Sequence, residues 1–145
     1  MGSDSQNRSN SNLTYVFIAF IVSLIATLGS LFFSEIMHFI PCSLCWYQRI
    51  FMYSLVLIFL MNLLFPDDKV FKYAILLVLF GWIISIYHNL LMFGIIPENL
   101  APCVQGVPCS TAYINWLGFI TIPLLSFFAY TTILILLVKM KKELN

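Results

Sequence analysis

Charged side chains are scarce in this chain. They make up 9% of its 145 residues, against about 25% in ordinary globular proteins. Apolar residues make up 61%, and the mean hydropathy is +0.98. So few charges cannot cover the surface of a water-soluble particle, and a net charge of +1 offers no basic patch for phosphates. The composition therefore argues against a water-soluble enzyme, a disordered chain and a nucleic-acid-binding protein, and it indicates a lipid bilayer as the solvent.

Two kinds of cofactor motif are also missing. The sequence has no glycine-rich nucleotide fingerprint and no C-x-x-C-H haem attachment site. Its two histidines, His38 and His88, are too few for a multi-haem arrangement. Any redox chemistry in this chain must therefore use another electron carrier.

Long apolar runs dominate the sequence. Each has 20 or more residues, which matches the roughly 20 that cross about 30 Å of hydrocarbon as a helix, and Arg49 is the one charged residue within them. The runs cover residues 13–33, 46–65, 73–93 and 116–138. Because backbone groups in lipid must bond internally, we predict an all-α, integral membrane bundle of four transmembrane helices over residues 13–138. Polar residues 1–12 predict a disordered cytoplasmic tail, and residues 139–145 a second cytoplasmic tail.

The basic residues predict how the bundle is oriented in a cell membrane. Six of the seven cluster before the first run, between the second and third, and after the fourth: Arg8, Lys69, Lys72, Lys139, Lys141 and Lys142. The loops 34–45 and 94–115 contain no Lys or Arg. The positive-inside rule then places both termini and the 66–72 turn in the cytoplasm, and both Lys/Arg-free loops outside.

The four cysteines form two pairs, one in each loop that faces outward. Cys42 and Cys45 form a C-x-x-C motif, and Cys103 and Cys109 are separated by five residues. Disulfides persist on this side of a membrane. A C-x-x-C disulfide constrains little of the unfolded chain, because entropic stabilisation grows with loop length. The spacing therefore favours a redox pair over a structural staple, although structural disulfides or a zinc site built from both pairs stay open as alternatives.

The surroundings of the C-x-x-C motif favour a thiolate. The motif leads directly into the second predicted helix, whose first turn has unpaired N–H groups that carry partial positive charge. Arg49 lies one turn after Cys45 on the same face. We expect both to stabilise a thiolate at Cys45. His88, near the outer end of the third run, is either functional or a hydrogen-bonded structural residue, whereas Gly29 and Gly81 predict close helix contacts.

A dithiol that turns over needs an electron acceptor. A lipid-soluble carrier would need no nucleotide-binding fold, and it could diffuse to the outer end of the second helix and meet Arg49 there. A membrane quinone fits this requirement.

The motif Pro-Cys-Ser-Leu-Cys-Trp-Tyr-Gln-Arg at residues 41–49 resembles the P-C-x-L-C-x-Y-x-R signature of the DsbB disulfide-bond-forming proteins. The four runs, the second cysteine pair before the last run and the sequence Asn-Trp-Leu-Gly-Phe at residues 115–119 are similar to the same family. The resemblance covers residues 13–138. The close spacing of Cys103 and Cys109 is most similar to the BdbC branch of Gram-positive bacteria.

The resemblance implies a membrane thiol–disulfide oxidoreductase that supports disulfide bond formation. Such a protein reoxidises a DsbA-like thioredoxin-fold partner, here of the BdbD type, and passes the electrons to the membrane quinone pool, with menaquinone favoured over ubiquinone. By the resemblance, Cys103 forms the mixed disulfide with the partner, and Cys109 is its mate. Gln48 departs from family members that carry Glu, which removes a carboxylate from this position.

The resemblance also assigns the first pair. Cys45 passes electrons to the quinone, and Cys42 is its redox mate, which can pair transiently with Cys109. Arg49 matches the arginine that assists the quinone, and His88 lies near a family histidine close to the quinone.

Three rival functions stay open on the sequence. One is a four-span structural protein with stapling disulfides, and another is a metal-binding sensor. The third is a quinone reductase similar to vitamin K epoxide reductase, in which the two cysteine pairs occur in the reverse order.

Overall fold

The computed structural model describes residues 2–38, 40–67, 69–100 and 122–144. Within these ranges the chain forms four α-helices and one 3-10 turn, and it contains no strand: α1 Gly2–Glu35, α2 Ser43–Leu64, α3 Val70–Met92, the turn Glu98–Leu100, and α4 Ile122–Leu144. Each α-helix contains a segment long and apolar enough to cross a membrane, namely Asn10–Glu35, Ser43–Leu64, Val70–Met92 and Ile122–Lys142. The predicted all-α, four-helix membrane architecture is confirmed.

The first helix starts earlier than the sequence predicts. Polar residues 1–12 suggest a disordered tail, but α1 begins at Gly2. No proline interrupts the chain between residues 2 and 35. Adding a turn to an existing helix costs far less than starting a new one, so the long apolar helix extends into the polar residues. The part of α1 suited to cross the membrane begins at Asn10.

The four helices form a four-sided bundle in chain order. α1 packs against α2 and α4, and α3 packs against the same two helices. The core contains large, fully buried side chains from α2, α3 and α4, including Leu55, Phe59, Val78 and Ile133. Many equally large apolar side chains point outward, so the surface between the helix ends is as apolar as the core. This surface suits lipid and not water.

A short turn joins α2 to α3. The Asn62 side chain donates a 2.9 Å hydrogen bond to the backbone carbonyl of Asp67, and the Asp67 carboxylate accepts one of 2.9 Å from the backbone N–H of Lys69. These bonds satisfy polar groups at the helix ends that lipid could not. Helices α2 and α3 therefore form an antiparallel hairpin.

Gly29 and Gly81, for which close helix contacts were predicted, differ in how near other side chains lie. A Cβ at Gly81 on α3 would clash with the ring of Tyr130 on α4, which confirms a close helix contact there. The Tyr130 hydroxyl also donates a 2.7 Å hydrogen bond to the backbone carbonyl of Gln48 on α2. At Gly29, no heavy atom of the described residues lies within 4 Å of an added Cβ, so the predicted close contact at Gly29 is wrong.

The chain is attached to α3 on both sides of residues 101–121. Before this segment, the Tyr87 hydroxyl donates a 2.8 Å hydrogen bond to the carbonyl of Leu100. After it, the Asn89 side chain donates one of 3.0 Å to the carbonyl of Pro123 in the first described turn of α4. Both contacts come from the end of α3 that lies near the C-x-x-C motif.

Candidate functional site

The C-x-x-C pair lies at the start of α2. Pro41 precedes the helix, Cys42 is its N-cap residue with an extended backbone, and Cys45 occupies the first turn. The Trp46 N–H donates to the Cys42 carbonyl at 3.1 Å, which is the first helical bond. The two sulfur atoms are 3.3 Å apart, and both thiols are free. Since a disulfide bond is about 2.05 Å long, small side-chain rotations would bring the sulfurs together.

A histidine on α3 lies next to the thiol pair. His88, near the end of α3, is 1% exposed, and its Nε2 atom lies 3.7 Å from the Cys42 sulfur. Cys42 is 8% exposed, so the contact is shielded from solvent. The sequence made His88 a candidate but did not connect it with Cys42, because 46 residues separate the two.

The electrostatics of the site favour a thiolate at Cys42. The hydrogen bond with Cys45, opposed by burial and reinforced by the hydrogen bond with His88, lowers the pKa of Cys42 from 9.0 to about 4. Its N-cap position adds the partial positive charge of the helix start. From the sequence alone, Cys45 is the expected thiolate, because the helix start and Arg49 are close to it in the chain and the histidine on α3 is not.

Arg49 has two partners near the start of α2. Its guanidinium donates a 2.9 Å hydrogen bond to the backbone carbonyl of Ser30 on α1, and it lies 5.6 Å from the centre of the Trp46 ring. A cation at this depth needs such partners. Arg49 therefore ties α1 to α2 beside the thiol pair.

A buried polar network extends from His88 into the bundle. The Nδ1 atom of His88 lies 3.4 Å from the side-chain nitrogen of Gln48, and the Ser126 hydroxyl on α4 lies 2.9 Å from the Gln48 side-chain oxygen. Gln48 is 6% exposed. In the sequence, Gln48 stands out only as a departure from the family, and Ser126 is not among the predicted site residues. The signal that could have found both is a polar residue inside an apolar run.

Three potential metal ligands meet at this site. The sulfurs of Cys42 and Cys45 and a ring nitrogen of His88 all lie within 4.8 Å of one another. A structural zinc site needs four such ligands, and among the described residues this group has three. We therefore treat the group as a thiol pair with a histidine and assign no metal to it.

The second cysteine pair, Cys103 and Cys109, lies outside the described residues. Their proximity to Cys42 and Cys45 stays a prediction from the sequence.

These features define a class of protein: a four-helix integral membrane protein with a thiol pair, one thiol buried and one half-buried, at one end of the bundle. Comparison with known proteins identifies the family. Residues 12–140 match the family model described as "Disulfide bond formation protein DsbB". The chain belongs to the DsbB family of disulfide bond formation proteins, as the sequence motif predicted.

Individual relatives agree with this family. The chain is 47% identical over 133 residues to "Disulfide bond formation protein C" of Bacillus subtilis (strain 168), which covers 92% of this chain and 96% of the relative. It is 45% identical over 117 residues to "Probable disulfide formation protein C" of Halalkalibacterium halodurans, covering 81% and 85% of the two chains. It is 36% identical over 140 residues to "Probable disulfide formation protein" of Metapseudomonas resinovorans, covering 94% and 97%. No solved structure matches the chain.

Membership of this family implies a disulfide oxidoreductase. It favours disulfide formation over the structural, metal-sensing and vitamin K epoxide reductase-like alternatives. The four membrane-spanning helices make the chain a multi-pass membrane protein.

Proposed function

We propose that this protein reoxidises a DsbA-like thioredoxin-fold protein of the BdbD type and passes the electrons to a membrane quinone. The observation that carries the proposal is the contact of Cys42 with Cys45 and His88 at the start of α2. A buried dithiol with a stabilised thiolate is equipped for exchange chemistry. The family supports the direction of this chemistry, towards disulfide formation.

The distribution of charge supports an orientation in the cell membrane. Apart from Arg49, the basic residues lie near the ends of α1 and α4 away from the thiol pair and at the α2–α3 junction: Arg8, Lys69, Lys72, Lys139, Lys141 and Lys142. The positive-inside rule then puts both termini in the cytoplasm and both cysteine pairs outside. There the second pair can meet a secreted partner.

Electrons would move in two exchanges. The partner's thiolate attacks the Cys103–Cys109 disulfide at Cys103. Its second thiol resolves the mixed disulfide, which leaves the partner oxidised and the loop pair reduced. The loop pair then reduces the Cys42–Cys45 disulfide, and Cys42 pairs transiently with Cys109. In each exchange one S–S bond forms as another breaks, so two electrons pass at each stage.

The residues beside Cys45 fit a quinone head group, which needs a hydrogen-bond donor for its oxygen and a thiol near its ring. Arg49 has five N–H donors, gives one hydrogen bond to Ser30, and lies one helical turn from Cys45. The ring of Trp46, 53% exposed, offers a flat apolar surface beside them. When bound, the quinone supplies the two-electron oxidising power. The Gram-positive branch of the family favours menaquinone over ubiquinone.

One experiment tests the proposal directly. Purified protein in detergent is mixed with a soluble quinone analogue and a reduced thioredoxin-fold substrate, and quinone absorbance is followed over time. We expect quinone reduction to depend on both the protein and the substrate. A variant with Cys42 and Cys45 both replaced by serine is the control. Equal rates with this control and with the unmodified protein would contradict the proposal.

A further inference from the structure

Polar side chains buried between membrane helices require an explanation, because each must be hydrogen-bonded or carry a function. The described part of the bundle has one continuous polar path that begins at the redox site. It runs from Cys42 through His88 on α3 and Gln48 on α2 to Ser126 on α4. The path ends at the backbone carbonyl of Pro123, which lies 2.9 Å from the Ser126 hydroxyl.

His88 is placed between a sulfur and an amide. Its Nε2 atom faces the Cys42 sulfur at 3.7 Å, and its Nδ1 atom faces the Gln48 side chain at 3.4 Å. In a neutral imidazole one ring nitrogen is a donor and the other an acceptor. The partner at Nδ1 therefore decides whether Nε2 gives a proton to the sulfur or takes one from it.

Gln48 can serve both forms of the histidine. With its nitrogen facing Nδ1, the ring carries its proton on Nε2 and donates to a Cys42 thiolate. The two ends of an amide have nearly the same shape, so a half-turn of the side chain brings its oxygen to face Nδ1–H. The Nε2 atom can then accept the proton of a Cys42 thiol.

Ser126 allows this half-turn without leaving a polar group unpaired. Its hydroxyl lies 2.9 Å from both the Gln48 side-chain oxygen and the Pro123 carbonyl. When the oxygen of Gln48 faces Ser126, the hydroxyl donates to it. When the nitrogen of Gln48 faces Ser126, the hydroxyl accepts from it and donates to Pro123. A hydroxyl can do both, whereas a side chain with donors alone or acceptors alone cannot.

We propose that His88 takes the proton of the Cys42 thiol when the dithiol is oxidised, and that Gln48, paired with Ser126, is the positioning residue that lets His88 take and return this proton. This inference rests on the proposed function for its oxidant, the quinone.

Atoms and electrons balance in this step. The Cys42 S–H bond breaks, the proton bonds to Nε2 of His88, and the electron pair stays on sulfur. That sulfur then forms the S–S bond with Cys45. Two electrons and the Cys45 proton go to the quinone. His88 later releases the second proton, so the two protons and two electrons together convert the quinone to its quinol.

The test measures the reactivity of Cys42 and needs no quinone. The full chain is reduced and then alkylated with a small thiol reagent between pH 6 and pH 9, and mass spectrometry locates the label. We expect a nearly pH-independent rate at Cys42 in the unmodified protein. In His88→Gln, the alkylation rate of Cys42 at pH 6 should be at least tenfold lower than its rate at pH 9. In Gln48→Leu, the rate at pH 6 should be about fivefold lower than the rate at pH 9. Gln48→Glu, which keeps an acceptor facing Nδ1, should preserve the flat profile.

The other titratable groups near the pair are unchanged in every variant. Cys45 on α2 contacts Cys42, Arg49 follows one turn later, and Tyr130 on α4 donates to the backbone of Gln48. Differences between the variants therefore report on the His88–Gln48 path and not on a lost charge elsewhere.

A control separates positioning from general loosening of the bundle. Thr131→Val removes the 3.0 Å hydrogen bond that Trp82 on α3 donates to α4 and leaves the thiol site untouched. It should keep the nearly pH-independent rate at Cys42.

If Gln48→Leu fails to fold, Ser126→Ala takes its place, and its alkylation rate should also be lower at pH 6 than at pH 9. An unchanged profile in His88→Gln, or an equal change in Thr131→Val, overturns the proposal. Loss of quinone reduction with the alkylation results intact would contradict only the proposed function.

Discussion

The aromatic ring of Tyr130 on α4 fills the space that a side chain at Gly81 on α3 would need. The same residue hydrogen-bonds through its hydroxyl to the carbonyl of Gln48 on α2. One side chain thus sets the spacing of three helices. The contact lies one turn of α2 from the thiol pair. The packing of the helices therefore also determines the position of the two thiols.

Gly81→Ala should destabilise the bundle. The added methyl group meets a fully buried ring that has little room to move, and overpacking of this kind costs about 1–3 kcal/mol. Thermal unfolding in detergent should show a lower midpoint. Gly29→Ala is the matched control, since no described atom lies near its added Cβ, and helix propensity makes it neutral or stabilising. Equal midpoints for the two variants would contradict the packing described for Gly81.

Cys45→Ser should abolish quinone reduction and leave the loop pair able to react with a reduced thioredoxin-fold substrate. A hydroxyl cannot replace the sulfur in a disulfide, so electrons from Cys103 and Cys109 have no route onward. Quinone absorbance and trapping of a mixed disulfide with the substrate measure the two reactions separately. Quinone reduction at the normal rate in this variant would show that the role given to Cys45 is wrong.

Arg49→Ala should weaken the use of quinone more than the reaction with the protein partner. A hydrogen bond from a charged donor contributes about 1.5–3 kcal/mol, which corresponds to a roughly 10- to 150-fold loss in kcat/KM for quinone. The Michaelis constants for quinone and for the partner are measured in the same assay. Arg49→Lys keeps the charge but loses the planar arrangement of several N–H donors. Its kcat/KM for quinone should lie between the values of the unmodified protein and of Arg49→Ala. Unchanged constants for quinone in Arg49→Ala would count against the assignment.

The stability of the reduced protein should rise with pH. The folded state lowers the pKa of Cys42 from 9.0 to about 4, so between these values the unfolded chain binds the extra proton. The contribution of Cys42 to the free energy of unfolding is therefore fully present above pH 9 and is lost as the pH falls towards 4. Unfolding midpoints at pH 5, 7 and 9 measure the trend. In Cys42→Ser this part of the trend should disappear, and its persistence there would assign the trend to other groups.

The sequence predicted those features that depend on local pattern. Runs of 20 or more apolar residues determine the helices, because only a helix satisfies its own backbone in lipid. The Cys42-x-x-Cys45 spacing predicted two adjacent thiols, and their sulfur atoms lie 3.3 Å apart. The extent of α1 at its polar start was less predictable, because helix propagation there outweighs composition.

The features that the sequence did not predict depend on contacts between distant parts of the chain. His88 reaches Cys42 from another helix, and Arg49 finds its partner in a backbone carbonyl of Ser30, which leaves no trace in side-chain patterning. Assignment of the thiolate to Cys45 followed from residues nearby in sequence. The hydrogen bond with Cys45, reinforced by the contact with His88 on α3, favours a thiolate at Cys42 instead, and only the packed bundle shows the histidine.

The hydrogen bonds from Tyr87 to Leu100 and from Asn89 to Pro123 fasten both ends of the segment that carries Cys103 and Cys109 to a single helix. The same helix supplies His88 to Cys42. Helix α3 therefore holds, at one end of the bundle, both the histidine beside Cys42 and the two points, Leu100 and Pro123, between which the sequence carries Cys103 and Cys109. Loss of either hydrogen bond would detach one of these two points from α3 and leave the contact between His88 and Cys42 in place.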